Sequence, residues 1–337
     1  MSVWATLLET AIHAPSPHNV QPWRIRVIDE LQADLLIDSA RTLPKEDTTG
    51  SFIILAMGMF IEALSLFAAE KQYRLTYELH HEPDWFARAI LEAEAQVCFP
   101  FARLRLIPDE HLTPSGFDWA LFRKRRTSRI SLRPAAVPPQ AETELRNLAA
   151  QWSQRYEQIT DAAMIERILE EDTRALFHDL NQRDYRDEIT SWFRFTDRSS
   201  QKHRDGLDYR CMNTSRSTYW LTARLPQLLL IPGLRSLFVR KYRKQTGVVP
   251  TLGMLAGDFW QPAQAIQAGR FLMRFWLETA RQNLYIHPYG NLVTNQQAAR
   301  WMLAETKIPN IWLVFKIGFS DEPPKSYRRP VEEVLID

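Results

Sequence analysis

Two long apolar stretches, set far apart in the chain, place the tightest constraint on its fold. The first, Ser51 to Ala69 (SFIILAMGMFIEALSLFAA), carries a single charge, Glu62. The second runs from about Pro262 to Asn283. Placing Gly58 on Gly269 also superposes Phe60 on Phe271, Leu66 on Leu277 and Ala69 on Ala280, all at one offset of 211 residues. Each stretch follows a loop and leads into a Tyr-containing, strand-like exit. Internal duplication of a helix–sheet unit leaves this pattern. The first stretch is nearly long enough to span a bilayer. However, Glu62 sits in its middle, no aromatic anchors flank it, and Glu70-Lys71 ends it, so a buried central helix is expected.

A length of 337 residues fits two domains or one large fused one. The 45% hydrophobic and 24% charged content, with 11 Trp and 17 Phe, is that of a soluble globular chain with a sizeable core. A net charge of +2 points neither to nucleic acid nor to an acidic partner. Cys98 and Cys211 match no metal or redox spacing and read as reduced cytosolic thiols. The start, MSVWATLLET, lacks a basic n-region and contains Glu9, unlike a signal peptide. A cytoplasmic location is the expectation.

The patterning predicts a short amphipathic helix over 2–13, a strand after Trp23, a second strand at 33–37 and the apolar helix over 51–71. Strands near 73–79 and 95–107 complete a first α+β unit, and a turn-rich linker, HLTPSGF, follows. The second unit has predicted helices over 141–156, 160–183 and 262–283 and a strand at 311–318. Residues 185–250 are less regular, with an apolar run at Leu228–Pro232 and a basic end at Arg240–Lys244.

Four segments have compositions that point to chemistry. Ala14 to Val27 (APSPHNVQPWRIRV) begins as a proline-locked turn and ends as an alternating strand; it offers backbone N–H groups and the Asn19 amide to a planar polar ligand. Arg123 to Arg129 (RKRRTSR) sets five cations and two hydroxyls together, which suits a phosphate dianion or, alternatively, is a solvated basic patch. Tyr285 to Asn291 (YIHPYGN) follows the second apolar helix, and its glycine permits close backbone approach. Lys325 to Pro330 (KSYRRP) is a basic tail. His18 and His287 read as structural hydrogen-bonders, since no Ser/His/Asp set accompanies them. His80-His81-Glu82 is not a metal site, because adjacent strand residues point to opposite faces. No G-x-G-x-x-G, P-loop or H-E-x-x-H occurs.

Together these segments resemble the nitroreductase family, flavin enzymes that hold FMN at a subunit interface. Ala14–Trp23 resembles the A/S-P-S-x-x-N-x-Q-P-W segment, Arg125–Arg129 the R-R-S-x-R segment, and Lys325–Pro330 the closing K-S-x-R-x-P element. The resemblance implies an α+β, nitroreductase-like fold of two fused repeats, a pseudo-dimer. Each repeat would be a mainly antiparallel sheet packed with helices around a long central apolar helix. The first would cover 1–110 and the second 118–337, with an insertion or lid at about 185–250. Because each half-site occurs once, one composite site per chain is implied, as in the double-length, Acg-like branch.

The same resemblance implies FMN as cofactor, with Pro15, Ser16, Pro17 and Asn19 at the flavin edge. Arg125, Arg126, Thr127 and Ser128 would lie toward the phosphate and ribityl chain, with Arg125 and Thr127 at the phosphate end. Arg129 would sit near the N1/O2 edge, where negative charge develops on reduction. Pro288, Tyr289 and Gly290 match the loop that runs beneath the ring and donates a backbone N–H to N5, although Tyr289 stands where an acidic residue is common. Arg328, with Lys325 and Arg329, would complete the phosphate site. No side chain is implied as nucleophile or obligatory base, and no metal.

The implied activity is electron transfer from NAD(P)H through FMN to a nitroaromatic, quinone or similar small acceptor, by a monomer or homodimer. Two rivals stand beside it. One is an FMN-binding or storage protein whose flavin is covered by the 185–250 insertion. The other is a membrane-surface protein using the basic stretch Leu221–Lys244.

Overall fold

The computed structural model describes residues 2–92, 97–224 and 231–336. They divide into two units, each drawn from separate stretches of chain. Unit 1 takes Met1–Lys124, Phe259–Leu277 and Tyr327–Asp337; unit 2 takes Arg125–Asp258 and Glu278–Ser326.

Unit 1 opens with the helix Val3–Ala11, whose first turn is capped by Ser2 and whose Trp4, Leu7 and Leu8 are fully buried. Its sheet contains β1 (Trp23–Val27), β2 (Gln32–Asp38), β3 (Tyr73–Leu79) and β4 (Cys98–Pro108). The strand order is Leu335–Ile336, β1, β2, β4, β3. All neighbours are antiparallel except the closing strand Leu335–Ile336, which runs parallel to β1 with Leu335 opposite Ile25. That pairing pins the tail within unit 1 and fixes where Tyr327–Arg329 lie. Trp23, the first residue of β1, stacks on Phe60 at 4.7 Å, and both are fully buried. Burial of this kind contributes roughly 1.5–3 kcal/mol per large side chain.

The predicted buried helix is the helix Ser51–Glu70. It is the one described helix long and apolar enough to cross a membrane, and most of it lies inside the protein. Glu62 has no exposed surface and is paired with Arg270 and Arg274 of the helix Pro262–Arg281. The two helices cross at their glycines. A Cβ on Gly58 would run into the Ile266 carbonyl and lie 3.2 Å from Gly269 Cα; a Cβ on Gly269 would run into the Leu55 carbonyl. Leu55 and Ile266 stand at the same 211-residue offset as the two glycines. Each helix therefore presents the equivalent patch to the other, as two copies across a two-fold axis do. This reciprocity supports the reading of the pair as a duplication.

Unit 2 contains β5 (Gln154–Ile159), β6 (Phe193–Arg194), β7 (Leu207–Asp208), β8 (Leu252–Gly257), β9 (Tyr285–Pro288) and β10 (Ile311–Gly318). Four of these form an antiparallel sheet in the order β5, β8, β10, β9. The helix predicted over 141–156 is observed as Pro139–Gln151, and the chain is already in β5 from Gln154. Ser153 adopts a left-handed φ of 55°, which ends the helix and turns the chain into the strand.

The 185–250 stretch is more regular than its composition suggests. It folds into the short helices Asp197–His203 and Arg216–Arg224, the longer Pro232–Thr246, and the parallel pair β6–β7. Phe193 stacks on Tyr219 at 4.3 Å and Phe195 packs edge-on at 5.4 Å, which gives this stretch its own aromatic cluster. Of the predicted features, residues 95 and 96 of the strand and 228–230 of the apolar run lie outside the described residues.

Candidate functional site

The predicted site residues fall in both units. In unit 1 the Pro15–Asn19 loop closes as a 3₁₀ turn, Pro17–Asn19. His18, Asn19 and Gln21 all adopt left-handed backbone, with φ of 45°, 56° and 54°. Left-handed conformation costs a non-glycine residue roughly 1–2 kcal/mol, and three within four positions persist only where the surroundings dictate them. The dictating bonds are visible. Ser16 Oγ accepts from Gln21 N at 2.9 Å, and Asn19 Nδ2 donates to Tyr327 O at 3.1 Å. Gln21 Oε1 accepts from Arg329 N at 2.9 Å, and His18 Nε2 lies 3.1 Å from Glu46. The loop and the tail are thus one structure, although some 300 residues separate them (308 between Asn19 and Tyr327).

The two tail arginines differ. Arg329 is fully buried; its Nη2 donates to the carbonyls of Glu333 at 3.0 Å and Trp23 at 3.5 Å. Burial, with Arg41 and Arg24 nearby, pushes its guanidinium down to about 9. Arg328 is half-buried and donates to the Tyr327 carbonyl. Lys325, in unit 2, is exposed.

In unit 2, residues Arg125–Ile130 run as an extended segment beside β9. Thr127 bridges Ile286 in parallel, and Ser128 N donates to Ile286 O at 3.0 Å. Alternating side chains go to opposite sides of such a segment. Arg126 and Ser128 both meet the chain at 320–323: Arg126 pairs with Glu322 and donates to Pro323 O, and Ser128 Oγ lies 3.0 Å from Ser320 Oγ. Arg125 is buried. Arg129 Nη1 donates to Cys211 O at 3.2 Å, and burial pushes its guanidinium below its ordinary range.

A residue that sequence reasoning passed over completes this cluster. Lys316, in the middle of β10, has no exposed surface, and its ammonium donates to Ile130 O at 2.7 Å and Thr246 O at 3.1 Å. Desolvation, with Arg129 nearby, pushes it down to about 8. In the β9–β10 ladder Lys316 stands directly opposite His287, so the two side chains share a face. Burial, then Arg129 and Lys316, hold His287 well below its ordinary value, so the ring is neutral at pH 7. Its Nδ1 is buried and has no hydrogen-bond partner among the described residues, and the same holds for Tyr289 Oη. The sequence signal was available: one lysine inside the apolar run IWLVFKIG.

Among the described residues no carboxylate pairs with Arg129 or Lys316. Two cations lowered by desolvation and lacking a counter-charge are suited to an anion. The loop after β9 adds to this. Pro288 has no N–H, and Tyr289 N is taken by Val314 O at 2.8 Å, which leaves Gly290 as the backbone donor. Gly290 has φ of −60°, and a Cβ there would meet no atom within 4 Å, so the fold itself does not demand glycine. The cation pair, the orphaned His287 and Tyr289 atoms and Gly290 fit the pyrimidine edge and face of a flavin; Arg129 would hold the edge that becomes anionic on reduction. His80 and His81, expected in a strand, lie in the bend just after β3, where His80 meets Asp34 and His81 stacks on the Trp85 ring. Among the described residues no group of three or more metal-ligating side chains comes together.

No model of a known protein family matches the chain, and no curated protein matches it. Among solved structures, the chain is similar to the FMN-dependent nitroreductase NfnB from Mycobacterium smegmatis, solved in complex with NADPH. The identity is 19% and the TM-score 0.36, over 60% of this chain and 86% of that one. It is similar to a nitroreductase with bound FMN from Bacteroides fragilis at 11% identity and TM-score 0.33, over 62% and 91%. A putative nitroreductase from Anabaena variabilis matches at 11% identity and TM-score 0.44, and here 95% of this chain and 73% of that one are covered. These three solved structures are described as nitroreductases.

Proposed function

We propose that the protein is an FMN-dependent oxidoreductase that takes electrons from NADH or NADPH and passes them to a small acceptor such as a nitroaromatic or quinone. The observation that carries this reading is the half-buried Arg129 beside the fully buried Lys316, without a counter-charge among the described residues and set against neutral His287 and open-faced Gly290. The FMN would supply hydride chemistry. The residues of unit 2 would hold the ring, favour its anionic reduced edge through Arg129 and Lys316, and bind the phosphate through the basic residue Arg125. Ser16 and Asn19 would hold the loop that contacts the flavin edge rather than react.

A specific observation favours FMN storage as the second reading. The insertion is bonded onto the site strand: Cys211 O and Thr246 O accept from Arg129 and Lys316, and Asn213 Nδ2 donates to the carbonyls of Arg129 and Gln245. An insertion held this firmly is suited to covering a flavin.

Flavin absorbance of the purified protein, followed by anaerobic addition of NADH or NADPH, separates the readings. Yellow protein that bleaches supports the oxidoreductase. Yellow protein that stays oxidised supports storage, and colourless protein that takes up no FMN sinks both. Replacing Arg125 by Ala should sharply reduce FMN retention; unchanged flavin content would refute its role.

A further inference from the structure

One buried acid in unit 2 has no role in holding the proposed flavin. Asp172, on the helix Ala162–Asn181, is 3% exposed, and among the described residues no cation pairs with it. Its hydrogen-bond partner is the phenol of Tyr242, which donates to Oδ2 at 3.1 Å. Tyr242 belongs to the insertion, on the helix Pro232–Thr246. That helix is fixed over Asp172 by the next residue, Arg243, which pairs with Glu166 and Glu170 of the same Ala162–Asn181 helix. The Tyr242 oxygen is thereby held beside Asp172; when the carboxyl is protonated, its O–H can donate to the phenol oxygen, which frees the phenol proton to turn toward an acceptor.

The pair also borders the candidate site. The charged and titratable groups that act on Tyr242 are Asp172, Tyr289 and Arg129, and the charge that Tyr289 feels is that of Asp172. Around Arg129 the corresponding groups are Cys211, Tyr219 and Tyr242. Tyr289, next to Gly290, has a buried hydroxyl with no partner among the described residues. A phenol thus links an isolated carboxyl to the loop and cation pair assigned to the flavin. Burial pushes the Asp172 carboxyl up to about 7, an effect the Tyr242 hydrogen bond only partly offsets, so the group carries a proton near neutral pH.

We infer that Asp172 and Tyr242 form a proton-delivery pair for the electron acceptor reduced in unit 2, with Tyr242 as donor and Asp172 as the positioning residue that reloads it. The inference rests on the function proposed above. A quinone that accepts one hydride needs one proton on its oxygen. The Tyr242 O–H bond breaks as that O–H bond forms, the phenolate takes the Asp172 proton, and the carboxylate regains one from water. Electrons come from the nicotinamide by way of the flavin. This gives the insertion a catalytic purpose, since it supplies the phenol.

The test compares two acceptors in FMN-loaded wild type, D172N and Y242F. A quinone needs the proton and ferricyanide does not. The ratio of quinone to ferricyanide rates should fall about a hundredfold in both variants, the scale of a lost general acid. In the wild type the ratio should fall as pH rises through about 7, and in D172N it should be flat. In FMN-free protein, the infrared difference between wild type and D172N should contain the band of a protonated carboxylic acid that titrates near the same pH; the Asp47 carboxyl, which burial also pushes up to about 7, contributes to both proteins and cancels. Equal slowing of both acceptors in the variants overturns the delivery step alone, as does an Asp172 carboxyl ionised well below that pH. Protein that binds no FMN overturns the function proposed above, and this inference with it.

Discussion

Glu62 and Lys316 are both charged side chains with no exposed surface, yet the protein treats them in opposite ways. Glu62, in unit 1, sits where the two long helices cross and is met by Arg270 at 2.8 Å and by Arg274. Lys316, in unit 2, is met by two carbonyls and has another cation, Arg129, as its electrostatic neighbour. The first arrangement is complete within the chain and serves the fold. The second leaves positive charge without a counter-charge in a desolvated place, a penalty that loss of the Lys316 proton or a bound anion relieves. The contrast separates scaffold from site by charge balance alone, without appeal to any relative.

The largest effect expected lies at the crossing that surrounds Glu62. Gly269→Val drives a side chain into the Leu55 carbonyl, which cannot yield without parting the helices. A loss of about 3 kcal/mol or more is expected, read as a collapse of the denaturation midpoint; near-wild-type stability would show that the crossing is looser than described. Next in size, Glu62→Gln should destabilise by about 2 kcal/mol. That is less than for a fully enclosed pair, because Arg270 and Arg274 retain 24% and 31% side-chain exposure and can hydrate.

The uncompensated region should behave in the reverse sense. Arg129→Met should leave the stability of FMN-free protein within about 1 kcal/mol of wild type, or raise it, while weakening FMN binding. If it destabilised the apoprotein as much as Glu62→Gln, the comparison would fail. Lys316 gives the pH form of the same test. Its native pKa lies below its unfolded value, so between about 8 and about 10.5 the unfolded chain binds the proton that the native state has released. Native stability therefore rises with pH across that window. The difference between wild type and Lys316→Met, followed by urea denaturation, should shift in favour of wild type there. The smallest effect belongs to the surface: Glu322→Gln removes the partner of Arg126 but should change stability by no more than about 0.5 kcal/mol, since Glu322 is 67% exposed.

Much of the scaffold was legible because it rests on local pattern. The apolar helices, the strand at Tyr73–Leu79 and the equivalence of Gly58 with Gly269 could all be read from residue order, and the last proved to be a physical contact. The start of β5 was missed because its signal is a left-handed serine, Ser153, rather than a glycine. The motif residues were found, but not what they touch. Ser16 and Asn19 read as groups offered to a ligand, and their bonds instead join Gln21 and Tyr327. Lys316 was hidden by its apolar neighbours, and Asp172 by an ordinary amphipathic helix. Their meaning comes from burial and from partners supplied by distant segments.

The account stands on whether the buried cations of unit 2 hold an anionic flavin. The direct measurement is titration of FMN into the FMN-free chain, followed by absorbance, for wild type, Arg129→Met and Lys316→Met. One FMN should bind per wild-type chain, with affinity for dithionite-reduced FMN lowered at least about tenfold in each variant, near 1.4 kcal/mol per lost charge contact. Equal affinity in all three, or no binding by the wild type, would contradict the account.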